Sequence, residues 1–80
     1  MNAEIKAYNA ARDAVLLTRD VAKFTAWAAE QGQQFSHPIV AEIALHKMRT
    51  AAVSLPIAER RASKTWLTTR GYESFDDGDL

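Results

Sequence analysis

Cysteine is absent from this 80-residue chain, and glycine and proline occur only three times and twice. The lack of cysteine excludes disulfide bonds and thiolate zinc sites, and it is typical of a reducing compartment, so we expect a cytoplasmic location. No apolar run approaches the ~18 residues that cross a bilayer, and charged residues interrupt the first apolar stretch, unlike in a signal peptide. We therefore expect no membrane partner.

Several classes of enzyme are excluded by length or by missing motifs. Eighty residues form at most one small domain, which rules out a two-lobed enzyme and a dinucleotide-binding fold. The sequence has no glycine-rich phosphate loop, no cysteine nucleophile and no serine in an elbow motif. We therefore predict that the protein is not an enzyme and uses no cofactor. The spacing of His37, Glu42 and His46 fits no metal motif, so no metal site is predicted.

Positive and negative charges cancel over the whole chain but are unevenly distributed along it. Ten basic and ten acidic residues give a net charge of zero, which does not favour a general nucleic-acid or membrane binder. Residues 46–72 carry six bases against Glu59 alone, whereas residues 73–80 carry four acids and no base. We interpret residues 73–80 as a solvated, disordered acidic tail. The alternative is that this tail folds back onto the basic segment.

The composition predicts an all-α fold, because alanine, the strongest helix former, supplies 15 of the 38 hydrophobic residues. The predicted helices cover residues 2–31, 37–53 and 55–70. Gly32 and Gly71 mark the C-terminal ends of the first and third helices. Ser36 and Ser54 are the predicted N-caps of the second and third, each followed by a proline that a first helical turn tolerates. The expected fold is one three-helix domain, residues 1–72, with a long N-terminal helix packed on two shorter ones.

The first predicted helix has a continuous heptad seam, which we expect to face the other helices. The seam contains Ala3, Ala7, Ala10, Ala14, Leu17, Val21, Phe24 and Ala28. An alternative splits this helix, since Thr18 or Asp20 could cap a new one. We predict an unbroken helix because no glycine or proline lies near those two residues.

Apolar residues also lie on the outer side of this helix. Ile5, Leu16 and Trp27 follow one another at intervals of eleven residues, so a straight helix aligns them within about 40°. Arg12 and Lys23 lie among them, and we predict that these five residues bind a partner. A second apolar flank contains Tyr8, Val15, Ala22 and Ala26. Because two such flanks exceed what a small monomer buries, we expect a homodimer or a complex with another protein.

The second predicted helix is apolar around most of its circumference, which is typical of a central helix. Its polar stripe consists of Glu42, His46, Arg49 and Thr50. In the third helix, Trp66 is expected to be buried against Met48 and Leu45. These expectations place the second helix at the centre of the domain.

The third predicted helix carries a basic face. At 100° per residue Arg60, Arg61 and Lys64 lie together, and Arg70 adds a fourth charge beyond them. Together with the second helix, this arrangement can be read as a helix-turn-helix that places the third helix in a major groove. The turn lacks the usual glycine, and the helix lacks Asn and Gln. A small DNA- or RNA-binding regulator is therefore the alternative function.

The leading hypothesis is a non-catalytic protein that inhibits or regulates a protein partner by covering its surface. It rests on the outward apolar residues and on the lack of site chemistry. Small helical chains without cysteine are common among accessory proteins of phages and other mobile elements, including inhibitors of host defence such as anti-CRISPR proteins. That comparison rests on small size, helical character and lack of cysteine, and it is an analogy.

Overall fold

The computed structural model describes residues 2–72, and this part of the chain is all-helical, as predicted. Its four helices are α1 (Ala3–Thr18), α2 (Val21–Glu30), α3 (Pro38–Ala51) and α4 (Ile57–Thr69). α3 and α4 form an antiparallel hairpin, and α2 and α1 pack against α3. The predicted acidic tail, 73–80, lies outside the described residues.

The prediction of one long N-terminal helix is wrong, because the chain turns between Thr18 and Val21. Arg19 adopts a left-handed conformation, with φ of 58°, and its amide donates to the Leu16 carbonyl. Asp20 then caps α2, since its carboxylate accepts a hydrogen bond of 3.1 Å from the Lys23 amide. The turn contains no glycine: a non-glycine residue, Arg19, takes the positive-φ position, and its side chain pairs with Glu59 on α4.

Two of the predicted helix ends are confirmed. Gly32 and Gly71 have φ of 82° and 81°, the left-handed conformation that ends a helix at little steric cost to glycine. In the second case the Tyr72 amide donates to the Leu67 carbonyl at 2.9 Å, which closes α4. Glycine therefore marks the ends of α2 and α4 as the sequence indicated.

The two predicted serine caps are wrong. His37, rather than Ser36, caps α3, and its Nδ1 accepts from the Ile39 amide at 3.3 Å. Pro56 is the N-cap residue of α4, and it offers no side-chain acceptor. Ser54 instead donates to the Asp13 carboxylate at 2.6 Å, which ties the α3–α4 loop to α1.

The core lies where α2 crosses α3 and the end of α1. Its buried residues are Leu16, Phe24, Trp27, Ala28, Leu45, Ala52 and Leu55. The Phe24 ring lies at its centre, 6.1 Å from the Trp27 ring and 5.8 Å from the Phe35 ring between centroids. Aromatic side chains therefore supply much of the apolar area that this small domain buries.

The heptad seam is buried only in α2. Phe24 and Ala28 are buried, whereas the α1 members of the seam, including Ala7 and Ala14, are exposed and Leu17 retains 45% of its accessible surface. The turn at Arg19 explains the difference, because it lets α1 and α2 rotate independently. α1 therefore turns the face opposite the seam towards the rest of the domain.

The outward placement of Leu16 and Trp27 is wrong for the same reason. Leu16 is 0% exposed and Trp27 is 9% exposed, whereas Ile5 is 52% exposed. The eleven-residue alignment required a straight helix, and the chain interrupts it. Of the two charges in this predicted surface, Lys23 is exposed, and Arg12 is half-buried in an ion pair of 3.0 Å with Asp13.

Candidate functional site

An open apolar groove of about 710 Å³ runs between α2 and the beginning of α3. Its lining consists of Val21, Ala22, Thr25, Ala26, Ala29, Phe35, Ser36, His37, Pro38 and Ala41. None of these residues is Asp, Glu, Lys or Arg. The groove is therefore an exposed, mostly apolar concavity without a fixed charge in its wall, which is typical of a binding surface.

Small side chains on α2 create the groove. Ala22, Ala26 and Ala29 follow one another at helical spacing and are exposed. The neighbouring Thr25 hydroxyl donates to the Val21 carbonyl at 2.7 Å, so its own helix satisfies it. α2 therefore offers methyl groups to the groove and keeps its polar atoms hydrogen-bonded internally.

The other wall comes from the segment that enters α3. Phe35 packs against the core, and Pro38 starts the helix in a first turn where its missing amide has no intrahelical partner. Beyond the groove, the same turn exposes Ile39 and Val40. This end of the domain thus presents large apolar side chains beside the small ones of α2.

A second candidate cluster surrounds Arg49, which is fully buried. Its guanidinium donates to the Leu16 carbonyl at 2.5 Å, to Ser63 Oγ at 2.5 Å and to the Glu59 carboxylate at 2.6 Å. The same carboxylate accepts a hydrogen bond of 3.0 Å from Arg19 Nε. Arg49 and then Arg19 lower the pKa of Glu59 through these hydrogen bonds. The cluster ties α1, α3 and α4 together and includes the side chain of Arg19, the residue at the left-handed turn.

A serine–histidine pair extends from this cluster. His46 Nδ1 lies 2.9 Å from Ser63 Oγ. The same Ser63 Oγ accepts a hydrogen bond from Arg49 Nε, so one hydroxyl joins the His46 and Arg49 side chains. Ser63 is fully buried, so neither a substrate nor a kinase reaches it in the folded chain, although it follows Arg60 and Arg61. The pair therefore serves packing rather than nucleophilic attack.

The environment of His46 makes the stability of the domain depend on pH. Burial, followed by the charges of Arg49, Arg70 and Arg19, lowers the pKa of His46 from 6.5 to about 4. Between these two pH values only the unfolded chain gains the proton, so we expect the free energy of unfolding to fall as pH decreases from about 6.5 to about 4.

Urea titrations at about pH 7 and about pH 5 measure this effect. His46→Asn, which keeps an acceptor near Ser63 but does not titrate, should lose less stability between the two pH values than the wild-type chain. Equal losses would contradict the assignment. Glu59 does not confuse the comparison, because its lowered pKa contributes in the same direction to the wild-type chain and to His46→Asn.

The predicted basic face is not one exposed surface. Arg60 donates to the Thr50 carbonyl at 3.0 and 3.2 Å, which closes the end of α3. The Arg70 guanidinium lies 4.4 Å from the centroid of the Trp66 ring. Arg61 is exposed, and Lys64 is half-buried. The structure therefore directs at least Arg60 and Arg70 into contacts within the domain.

The expected burial of Trp66 against Met48 and Leu45 is wrong. Trp66 is half-buried and stacks on His46, with centroids 4.1 Å apart. Met48 and Leu45 instead belong to the core on the other side of α3. The inner face of α4 consists of Ser63 and Leu67, which leaves Trp66 at the edge of the helix pair.

No family model, curated protein or solved structure matches this chain. Within residues 2–72, no three His, Asp or Glu side chains could share a metal ion, and His37, Glu42 and His46 form no such group. No helix in that range combines the length and apolar character needed to cross a bilayer.

The groove was only partly visible in the sequence. The sequence places Ala22 and Ala26 on one apolar flank but does not connect Phe35 and Pro38 with them. Helical spacing identifies residues that share one face, whereas a groove depends on how two helices pack. The sequence signal for the groove is the run from Phe35 to Val40, in which four of six residues are apolar or proline. This run follows an alanine-rich helix.

Proposed function

We propose that this chain is a non-catalytic regulator that binds one amphipathic helix of a protein partner in the groove between α2 and α3. The observation that supports the proposal is the combination of a small-residue wall on α2 with Phe35 and Pro38 in the opposite wall, and with Ile39 and Val40 exposed beyond the groove. Amphipathic helices commonly bind by placing their apolar face in such grooves.

The size of the groove matches a short helix. Its α2 wall extends from Val21 to Ala29, or about 12 Å at 1.5 Å per residue, which corresponds to roughly two helical turns. A partner helix with apolar side chains at positions i, i+3 or i+4, and i+7 covers this distance. The alanines allow its backbone to approach closely, and the absence of charge in the lining selects an apolar contact face.

The proposed mode of action is steric, since a bound helix of the partner is withheld from its other contacts. Lys23 and Glu30 are exposed on α2 outside the groove lining and carry charges of opposite sign. Exposed charges of this kind affect the association rate more than they hold a complex together. An accessory protein of a phage or another mobile element, of anti-defence type, remains the biological setting that we propose.

Site-specific photocrosslinking tests this proposal. A photoreactive residue placed at Thr25 in the groove should form a covalent adduct with a protein in the producing cell. The same residue at Thr65, which is exposed on α4, is the matched control and should form no protein adduct. Adding Ala26→Arg to the Thr25 variant should abolish the adduct, because the long charged side chain fills the groove.

The result at Thr65 also tests the alternative proposal, a DNA- or RNA-binding regulator that uses α4. Nuclease-sensitive adducts at Thr65, together with none at Thr25, would overturn the groove proposal in favour of nucleic acid. An adduct at Thr25 with the mass of two copies of this chain would identify a homodimer as the occupant. In that case the groove is retained and the separate partner protein is rejected.

A further inference from the structure

We propose that a second cavity, the Tyr8–Trp27 recess, binds a small, neutral, flat aromatic molecule. This recess has a volume of about 450 Å³ and lies among α1, α2, α3 and the loop after α2. Its lining consists of Tyr8, Trp27, Ala28, Gln31, Gln33, Ala44 and Met48. It shares no lining residue with the groove between α2 and α3, so the proposal does not depend on the proposed function.

The walls of the recess favour an aromatic ring. The Tyr8 and Trp27 rings have centroids 5.7 Å apart and planes inclined at 41°, so they do not cover one another by parallel stacking. Met48 adds a flexible, polarisable thioether that contacts ring edges favourably. Ala28 and Ala44 complete the lining with small side chains. A volume in the range of roughly 300–1,000 Å³ is typical of small-molecule sites.

The polar groups of the recess define the rest of the ligand. No Asp, Glu, Lys, Arg or His lines it, so the lining offers no charge to balance an ionised ligand. Gln31 and Gln33 are exposed side chains of the lining, and each carboxamide both donates and accepts hydrogen bonds. In a lactam, a flat ring carries an adjacent N–H and C=O. The ring suits the aromatic walls, and the N–H and C=O suit the carboxamides of Gln31 and Gln33.

Quinolin-2-one, a neutral bicyclic lactam, is a suitable probe. Titration into the ¹⁵N-labelled full chain should shift the Trp27 indole N–H and the backbone amides of residues 28–33, with saturation and a Kd below about 1 mM. Quinoline-2-carboxylate, which has a similar size but a negative charge, should bind at least about tenfold more weakly because the lining has no cation.

Variants locate the binding site. Tyr8→Ala should weaken binding of quinolin-2-one about tenfold because it removes one aromatic wall, whereas Tyr8→Phe should retain it. Tyr72→Ala removes a tyrosine of similar exposure outside the recess and should leave binding unchanged. Tyr8 is 42% exposed, so these variants are expected to remain folded, which the ¹⁵N spectrum verifies directly.

Absence of saturable shifts would overturn the proposal, and so would shifts that Tyr8→Ala leaves unaffected. Equal affinity for the carboxylate would reject the assignment of a neutral ligand. A photoreactive Thr25 that captures a protein while quinolin-2-one fails to bind would support the groove and reject the recess, so the two proposals fail separately.

Discussion

Replacing Arg49 with methionine is expected to lower the free energy of unfolding by about 3–5 kcal/mol. Arg49 is fully buried, and its guanidinium satisfies the Leu16 carbonyl, Ser63 Oγ and the Glu59 carboxylate at once. Methionine fills similar space but donates no hydrogen bond, so these acceptors lose their shared partner, and the buried Ser63 hydroxyl cannot turn to water instead. A domain of this size has only a few kcal/mol to lose. Urea titration at about pH 7 measures the change.

Two further variants separate charge from geometry. Arg49→Lys keeps the positive charge, but a single ammonium group does not reproduce the planar fork of donors, so we expect an intermediate loss. Glu59→Gln removes the carboxylate charge from a side chain that is 25% exposed, where water can replace part of the interaction, and it should cost less than Arg49→Met. If Arg49→Met lost less than about 1 kcal/mol, the buried cluster would not be the main tie between α1, α3 and α4.

Phe24→Ala is expected to cost about 3–5 kcal/mol, since it removes the ring at the centre of the core and leaves a cavity. Phe24 is 1% exposed and packs against both Trp27 and Phe35. Leu17→Ala is the matched control, because Leu17 belongs to the same heptad seam but is 45% exposed. The control should cost less than about 1 kcal/mol.

The comparison of these two variants by urea titration reports on the turn at Arg19. In a continuous helix both seam residues would face the same way and their costs would be similar. Equal losses for Phe24→Ala and Leu17→Ala would therefore favour the unbroken helix and contradict the fold described above. Phe24→Leu, which retains most of the buried volume, should lose less than Phe24→Ala.

The helical class and several helix ends followed from local chemistry. Alanine content, the left-handed glycines Gly32 and Gly71, and the tolerated Pro38 all act within a few residues of the chain. The turn at Arg19 was the alternative that Asp20 offered as a cap, and Asp20 does cap α2; the sequence did not decide for it because the other supports of the turn come from far away. Glu59, forty residues later, pairs with Arg19, and Arg49 bonds to the Leu16 carbonyl from thirty-three residues away.

The candidate sites likewise depend on contacts between residues that are far apart in the sequence. The polar stripe of the central helix contains Arg49 and His46, and a polar stripe usually faces water. Here it faces α4, where Glu59 and Ser63 supply partners. Sequence periodicity identifies which residues share a face, and it does not identify what that face meets. The groove and the recess depend on helix packing and were therefore accessible only in part from the sequence.

The two ends of α1 are held unequally by the rest of the domain. Apart from Asn9, residues 2–11 of the helix and its cap are exposed, whereas the Arg49 cluster fastens the other end of α1 at Leu16. Segments with little burial unfold locally at a lower free energy than the whole domain. We therefore expect the first turns of α1 to open at a lower free energy than the core, and their backbone amides to exchange with solvent before those of α3. Since Tyr8 is carried by these turns, their partial unfolding removes one wall of the recess while the core around Phe24 stays closed.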